Sequence, residues 1–359
     1  MHLNVIGSPG FVGGANTELW HTIRLWRERG WSVTVIPTWT MDTTWRERLG
    51  SLAVPVVDAT PETIESVRLL AGSIVVSFCN EHFLGLLARL RRMDCRTVFV
   101  PCMNWHFPIQ RKQLPEPTGL ADRIVCQSRY QMDRLLPYYR RHAEFVGQTW
   151  DDSRCRLIRG AFSIDEFPFE PRRHKPDEPF VVGRMSRAAS DKFPLGSKNL
   201  WRQYERILAP KHYRVMGWDS EVEKDVGPAP PWAEALPQNT EPPLAFLRSL
   251  HCLCPGVGAH AKENWPRVGL EAMAAGVPIV AENAGGWPEM LTQGQNGTLT
   301  PAGLLADTPD ESSFLVSRLA RDEKFRIEVA VSGRIEAERL ADPDTIGVQW
   351  AALFDSLGG

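Results

Sequence analysis

Short apolar runs alternate with helical spacing along the first half of the chain. Leu3 to Ile6 has the length and character of a buried strand, and Leu19, Ile23 and Trp26 then recur at helical intervals until Gly30 stops them. Val33 to Ile36 predicts a second strand. Ile74 to Phe78, Thr97 to Val100 and Ile124 to Cys126 predict three more, each followed by a helical or loop segment. Strands that alternate with helices pair in parallel, with helices on both faces of the sheet, so this half predicts one doubly wound α/β domain.

The stretch FPFEPRRHKPDEP, from Phe167 to Pro179, is rich in proline and charge and lacks periodicity, which marks a linker. The alternation then restarts with a strand at Phe180 to Val182, a helix from about Asn199 to Leu208, and a strand near Tyr213 to Met216. Gly227 to Pro243, dense in proline, predicts a long loop. A helix around Leu244, Leu247 and Leu250 follows, then strand His251 to Cys254, helix Arg267 to Ala275 and strand Val277 to Val280. Ile346, Trp350, Leu353 and Phe354 give a last helix one apolar stripe. The expected division is 1–172, 173–340 and a terminal helix, 341–359, that crosses back to the first domain. Ligands of open parallel sheets sit outside the carboxyl ends of the strands, so two such domains are expected to face a cleft.

Size and charge narrow the function. A chain of 359 residues exceeds one ordinary core, and 43% hydrophobic with 23% charged residues is the balance of a soluble globular protein. A net charge of -2 gives no footprint for bulk nucleic-acid binding; basic runs such as Arg140–Arg141 and Arg172–Arg173 are read as solvated faces. The seven cysteines, Cys79, Cys95, Cys102, Cys126, Cys155, Cys252 and Cys254, lack zinc spacing and several sit in apolar runs. They predict a reducing, cytoplasmic compartment. MHLNVIG lacks a signal-peptide pattern and no apolar run is long enough to span a bilayer, which leaves peripheral membrane association open.

The densest chemistry lies in KENWPRVGLEAMAAGVPIVAENAGGWPEMLTQGQNG, Lys262 to Gly297. Pro266 suits a first helical turn, which places Glu263 in the entering loop and Glu271 inside the helix. The free N–H groups and positive dipole of that helix start suit a diphosphate, and carboxylates beside it can accept hydrogen bonds from sugar hydroxyls. Two glutamates at this spacing arise by chance in many chains, as a cap and a solvated residue. Gly276 ends the helix, a strand follows, and the adjacent Gly285 and Gly286 permit close backbone approach to a ligand or, more plainly, a tight turn.

This ordered set resembles the signature of the retaining glycosyltransferases of the GT-B fold, the large family 4 group. RGAFSIDEFPF, Arg159 to Phe169, is similar to the segment that closes that family's first domain, and VVGRMSRAASDKF, Val181 to Phe193, to the strand and loop that open its second. The resemblance implies an acceptor-side first domain and a nucleotide-sugar donor domain second. It implies that Glu263 contacts donor-sugar hydroxyls, that Glu271 contacts the ribose, and that Arg184 and Lys192 hold the diphosphate. Asn264, Val268, Gly269, Gly285 and Gly286 would complete the donor site. Fixed cations are a direct way to stabilise a departing nucleoside diphosphate. Two departures stand out: the loop after Arg184 is long, so Lys198 competes with Lys192, and the bulky Asn264-Trp265-Pro266-Arg267 replaces small residues after Glu263.

In the first half, GSPGFVGGAN imitates a dinucleotide fingerprint through Gly7, Gly10 and Gly13. The second strand runs into Pro37-Thr38-Trp39 with no acid for a ribose, and Tyr138 and Tyr139 are not followed by the spaced lysine of an NAD-dependent epimerase, so that reading is set aside. By resemblance, Gly13 and Gly14 let the first loop approach the donor phosphates and the acceptor, and His106 is a cleft histidine facing the donor sugar or, more plainly, a structural or solvent-exposed loop histidine. Asn80, Glu81 and His82 follow a strand; they are candidate acceptor contacts or the cap of the next helix. Trp105, Trp39 and Trp45 are candidate stacking surfaces or core residues.

The expected activity is transfer of a glycosyl unit from a UDP-, GDP- or ADP-linked sugar to an acceptor hydroxyl, with retention and with neither cofactor nor metal. Sugars, lipids, small metabolites and a modified nucleobase all remain as acceptors. The alternatives are a non-hydrolysing sugar-nucleotide 2-epimerase, which shares the fold, and a catalytically silent sugar-nucleotide-binding protein. A paired-carboxylate glycosidase is disfavoured by the basic diphosphate site.

Overall fold

Each apolar run of the first half is a strand in the structure, a computed structural model that describes the chain except for residues 11–12, 108, 110–119, 146–148, 176, 197–198, 292–299 and 359. The chain divides into two compact units, Met1–Phe162 with Asp342–Gly359, and Ser163–Ala341.

In the first unit β1 (His2–Ile6), β2 (Ser32–Ile36), β3 (Ile74–Phe78), β4 (Arg96–Val100), β5 (Arg123–Cys126) and β6 (Cys155–Leu157) form one parallel sheet in the order β2-β1-β3-β4-β5-β6. Val5 stands opposite both Val35 and Val76, and the strands are buried on both faces, which is why they read as unbroken apolar runs. β6 was not expected from the sequence: Cys-Arg-Leu at a sheet edge is too short to give a period. The helix Gly14–Glu28 buries Leu19, Ile23 and Trp26 against this sheet and Gly30 ends it with φ +76°.

The terminal helix Pro343–Asp355 joins the same core. Its Ile346, Trp350, Leu353 and Phe354 stripe is buried there, with Trp350 edge-on to Trp26 at 5.2 Å. Arg29 passes over Gly347 and donates to the Pro343 carbonyl at 3.2 Å and to Asp344 Oδ1 at 2.9 Å. Any side chain at 347 would overlap that guanidinium.

The second unit is built from β7 (Phe180–Met185), β8 (Lys211–Met216), β9 (Ala233–Leu236), β10 (Cys252–Gly256), β11 (Ile279–Glu282) and β12 (Leu304–Ala306), all parallel, in the order β12-β11-β10-β7-β8-β9. Three sequence expectations change here. β9 lies inside the stretch read as a loop: AEAL is a half-exposed edge strand, and the prolines around it hide its pattern. β12 was also not expected. β11 begins at Ile279, two residues later than predicted, because Gly276 turns left-handed and the Val277 N–H closes the preceding helix on the Ala272 carbonyl. That shift puts Glu282 at the strand's carboxyl end.

The break at Phe162/Ser163 falls before the expected boundary at 172. Residues 163–172 are tied to the second unit: the Glu170 N–H donates to Ala275 O at 3.1 Å, and Arg334 joins the Phe167 and Ala274 carbonyls. Among the described residues no helix is long and apolar enough to cross a membrane.

Candidate functional site

The strand order of the second unit reverses between β7 and β10, so the crevice beyond their carboxyl ends is where this topology holds a ligand. A recess of about 460 Å³, including its open mouth, lies there, lined by Arg184, Met185 and Ser186 from the end of β7 and Pro255 and Gly256 from the end of β10. Lys192, Lys262, Glu263, Val268, Glu282 and Trp287 complete most of its wall. Val268 belongs to the first turn of the helix Arg267–Ala275, whose leading N–H groups carry no side-chain cap.

Arg184 is 3% exposed and spans the two strand ends. It donates to the Pro255 carbonyl at 3.0 Å, the Lys192 carbonyl at 3.0 Å and Ser186 Oγ at 3.2 Å, and its guanidinium lies 3.8 Å from the centre of the Phe193 ring. Burial pulls its pKa below the usual arginine value. No carboxylate lies within ion-pair distance of it among the described residues. The guanidinium thus fixes the loop that carries Lys192 while keeping its charge uncompensated beneath the recess.

Lys192 ends a single turn, Ser190–Lys192, and its Nζ lies 3.0 Å from Glu263 Oε1, both side chains being partly exposed. Lys198 lies outside the described residues. Beside this pair, Lys262 Nζ contacts both oxygens of Glu282 at 2.6 Å. Sequence reasoning missed this second pair as part of the site. An acid closing a parallel strand was the available signal, but the strand had been expected to end at Val280.

The two glycines after β11 approach the chain's own backbone. Gly286 N–H donates to the Glu263 carbonyl at 2.7 Å, and a Cβ on Gly286 would overlap the Asn264 carbonyl. Gly285 has φ +67°, and a Cβ there would overlap the Glu263 carbonyl. The pair therefore seats the Glu263–Asn264 loop, with Asn264 buried behind it. Gly269 is a packing position: a Cβ would come within 2.6 Å of Met290 Sδ and 2.8 Å of the Trp287 ring.

Glu271, in the middle of the helix, is outside the recess lining and only 9% exposed. Burial raises its pKa; the Arg267 charge opposes the shift and Glu166 adds to it. No group among the described residues donates a hydrogen bond to its carboxylate. Its oxygens keep some contact with solvent, which leaves them open to a ligand hydroxyl.

The first-unit candidates are spread along that unit. Gly13, φ +88°, has open space where a Cβ would be, and Gly14 begins the exposed start of its helix. Asn80 is buried and caps the helix Glu81–Arg92, its Oδ1 accepting from the His82 and Phe83 N–H groups and its Nδ2 donating to the Ile6 carbonyl. Glu81 accepts from the Ile109 N–H at 3.3 Å. His82 is exposed, with Nδ1 3.2 Å from Thr38 Oγ1 and its ring edge-on to the exposed Trp39. His106 is tilted against Tyr138 at 3.7 Å between ring centres, and Trp105 is exposed and edge-on to Phe107. Trp45 belongs to the core. Among the described residues no group of three or more His, Cys, Asp or Glu could hold a metal ion.

Residues 237–326, which carry Lys262 to Glu289, match the sequence model of the family described as "Glycosyl transferases group 1". No curated protein matches the chain in sequence. Among solved structures, HepE of Anabaena in complex with UDP-glucose is 17% identical with a TM-score of 0.74, the likeness covering 99% of this chain and 100% of that one. Sucrose-phosphate synthase of Thermosynechococcus elongatus is 14% identical with a TM-score of 0.68, over 99% and 98% of the two chains. TarM of S. aureus, bound to fondaparinux, α-GlcNAc-glycerol and UDP, is 9% identical with a TM-score of 0.64, over 98% and 99%. The two six-stranded parallel sheets with their helices are the GT-B fold.

Proposed function

We propose that this protein moves a glycosyl unit from a nucleoside diphosphate sugar to an acceptor hydroxyl, with retention at the anomeric carbon, in the manner of the family 4 glycosyltransferases. The observation that carries the reading is the recess at the β7/β10 switch point. It sets Arg184, Lys192 and Lys262 against Glu263 and Glu282, inside or beside the segment that matches the group 1 family.

The chemistry follows from charge. As the bond between the anomeric carbon and the phosphate oxygen breaks, its electron pair stays on the nucleoside diphosphate, and preorganised cations in a partly dry site stabilise that charge. Lys192 and the start of the Arg267–Ala275 helix serve this role directly; Arg184 supports it from below while holding the loop in place. The acceptor oxygen attacks the same face, and its proton passes to the departing phosphate oxygen. Glu263, seated by Gly285 and Gly286 with Asn264 behind it, orients the donor sugar, and Glu271 takes the ribose hydroxyls. Val268 and Gly269 shape the helix face beneath the diphosphate. In the first unit, the family resemblance assigns Gly13, Gly14 and His106 to the donor, and Glu81, His82 and Trp105 are the candidates for the acceptor. The cations of this scheme are side chains, so no metal is required.

UDP-sugars are the first donors to try, since the Anabaena neighbour holds UDP-glucose. Incubation with UDP-, GDP- and ADP-sugars and a panel of hydroxyl acceptors should release nucleoside diphosphate and give a product whose anomeric configuration, read by NMR, equals that of the donor. An inverted product would overturn retention. An epimerised donor without free nucleoside diphosphate would instead make the protein a 2-epimerase, and tight donor binding without turnover a silent binder.

A further inference from the structure

The recess holds three cations against two carboxylates, and each ammonium is already paired. Lys192 faces one oxygen of Glu263, whereas Lys262 is held by both oxygens of Glu282 at 2.6 Å. Both members of this second pair are more than two-thirds buried. Glu282 is anchored as the last residue of β11, in register with Ala306, and its carbonyl accepts the Ala284 N–H at 2.8 Å. Lys262 sits on the loop that Gly286 pins, next to Glu263, and Gly285 leaves room for its Cβ. The carboxylate is thus on a rigid strand end and the ammonium on a long, flexible stem.

We propose that Glu282 competes with the bound nucleoside diphosphate for Lys262 and so sets how tightly the product nucleotide is held. This rests on the nucleotide-sugar reading above and adds to it a residue that tunes release. An incoming diphosphate draws Lys262 away from Glu282, leaving that carboxylate partly buried and facing a second anion. Part of the attraction between Lys262 and phosphate is spent on breaking the existing pair. The diphosphate is held less tightly than the cation count alone would give, and after transfer Glu282 recovers Lys262 as the nucleotide leaves. Glu282 contacts Lys262 and not the reacting atoms, so it is a positioning residue.

The competing role and a purely structural one predict opposite signs. Glu282→Gln keeps the side-chain shape and removes the charge. Competition predicts that UDP, GDP or ADP, whichever the wild type binds, binds roughly three- to tenfold tighter in calorimetric titration of the intact protein. The matching nucleoside without phosphates would be unchanged, and kcat would fall as release slows while KM falls with it. Lys262→Met should weaken the diphosphate several-fold, and Glu282→Gln added to it should tighten binding by less than it does in the wild type, since only the repulsion between Glu282 and the diphosphate is then left to remove. Unchanged or weaker diphosphate binding by Glu282→Gln, with the wild type binding normally, would overturn the inference alone. Melting curves confirm that each variant is folded; if Glu282→Gln is not, Glu282→Ala made in the wild type and in the Lys262→Met background repeats the comparison, and a gain as large in the second as in the first counts against the shared contact. Failure of the wild type to bind any of the three nucleotides would overturn the nucleotide-sugar reading and this inference together.

Discussion

Lys192 and Glu263 meet across 71 residues of chain, Nζ to Oε1 at 3.0 Å, and Arg184 holds the carbonyl of that same lysine. The cation assigned to the leaving group and the carboxylate assigned to the sugar are therefore one coupled unit. Lys192→Ala and Glu263→Ala should each lower kcat/KM by roughly 10²–10³-fold, and the double variant should lose little more. Steady-state kinetics on all three variants check this; fully additive losses would show two independent roles.

Glu271 should cost the empty protein stability at neutral pH. Its folded-state pKa is raised by burial, so the folded form takes up a proton more readily than the unfolded chain, and the penalty is present above the folded value and vanishes below the unfolded one near 4.5. Glu271→Gln should raise the Tm at pH 7.5 by roughly 1–4 °C, with no gain at pH 4. The same variant should bind the nucleotide more weakly. A lower Tm at pH 7.5 would mean that the carboxylate has a stabilising partner.

Pro266 and Gly276 put Glu263 in the entering loop and Glu271 inside the helix, as the structure has them, whereas spacing alone does not tell that Glu263 lines the recess and Glu271 does not. Gly285 and Gly286 read as a close approach to a ligand or as a tight turn, and the structure sets them against the backbone of Glu263 and Asn264. Asn80 reads as ligand contact or cap, and in the structure its side chain caps the helix Glu81–Arg92. Parallel strands announced themselves because both faces are buried; β6, β9 and β12, which lie at or beside sheet edges, gave no such signal. Lys262 and Glu282 stayed hidden because pairing across 20 residues depends on where β11 lies, and the Val277–Ala272 hydrogen bond moves its start to Ile279.

Gly286→Ala should damage the site through the fold. Its Cβ would collide with the Asn264 carbonyl, and neither backbone can yield without moving the Glu263 loop. A loss of about 1–3 kcal/mol in stability and of most activity is expected, measured by urea unfolding and donor turnover. Gly30→Ala, at a left-handed but open helix end, serves as a control that should strain stability without touching turnover.

His251 makes the second unit acid-sensitive. Its ring is fully buried, with Nδ1 accepting the Val181 N–H at 2.9 Å and Nε2 facing Glu178 Oε1 and the Arg173 carbonyl; His174 and Arg172 lie on the same side. Burial, with Arg172 adding to it, depresses its pKa from 6.5 to about 4. Since the unfolded chain then binds the extra proton first, stability should fall as pH drops from about 6.5 to 4. Glu178, whose own pKa is lowered by a hydrogen bond from the Lys175 N–H, keeps its charge until the pH falls below the ordinary carboxylate value of 4.5. His251→Gln, neutral throughout, should flatten the Tm-versus-pH curve between 6.5 and 4; an unchanged slope would contradict the assignment.

Transfer should be insensitive to chelation, because the charge of the leaving diphosphate is assigned to Arg184, Lys192 and a helix start. Turnover measured in excess EDTA after dialysis should match that in magnesium. A loss of more than about tenfold, restored by a divalent ion, would place a metal in the step.

The most direct test of the donor site is the melting temperature of the intact protein in the presence of UDP-, GDP- and ADP-sugars. A ligand that binds only the folded state raises Tm, by about 2.7 kcal/mol of stability at a hundredfold excess over Kd. The account predicts a clear upward shift with at least one of these sugars, lost in Glu271→Ala and in Lys192→Ala. No shift with any of them, or a shift that survives both substitutions, would contradict it.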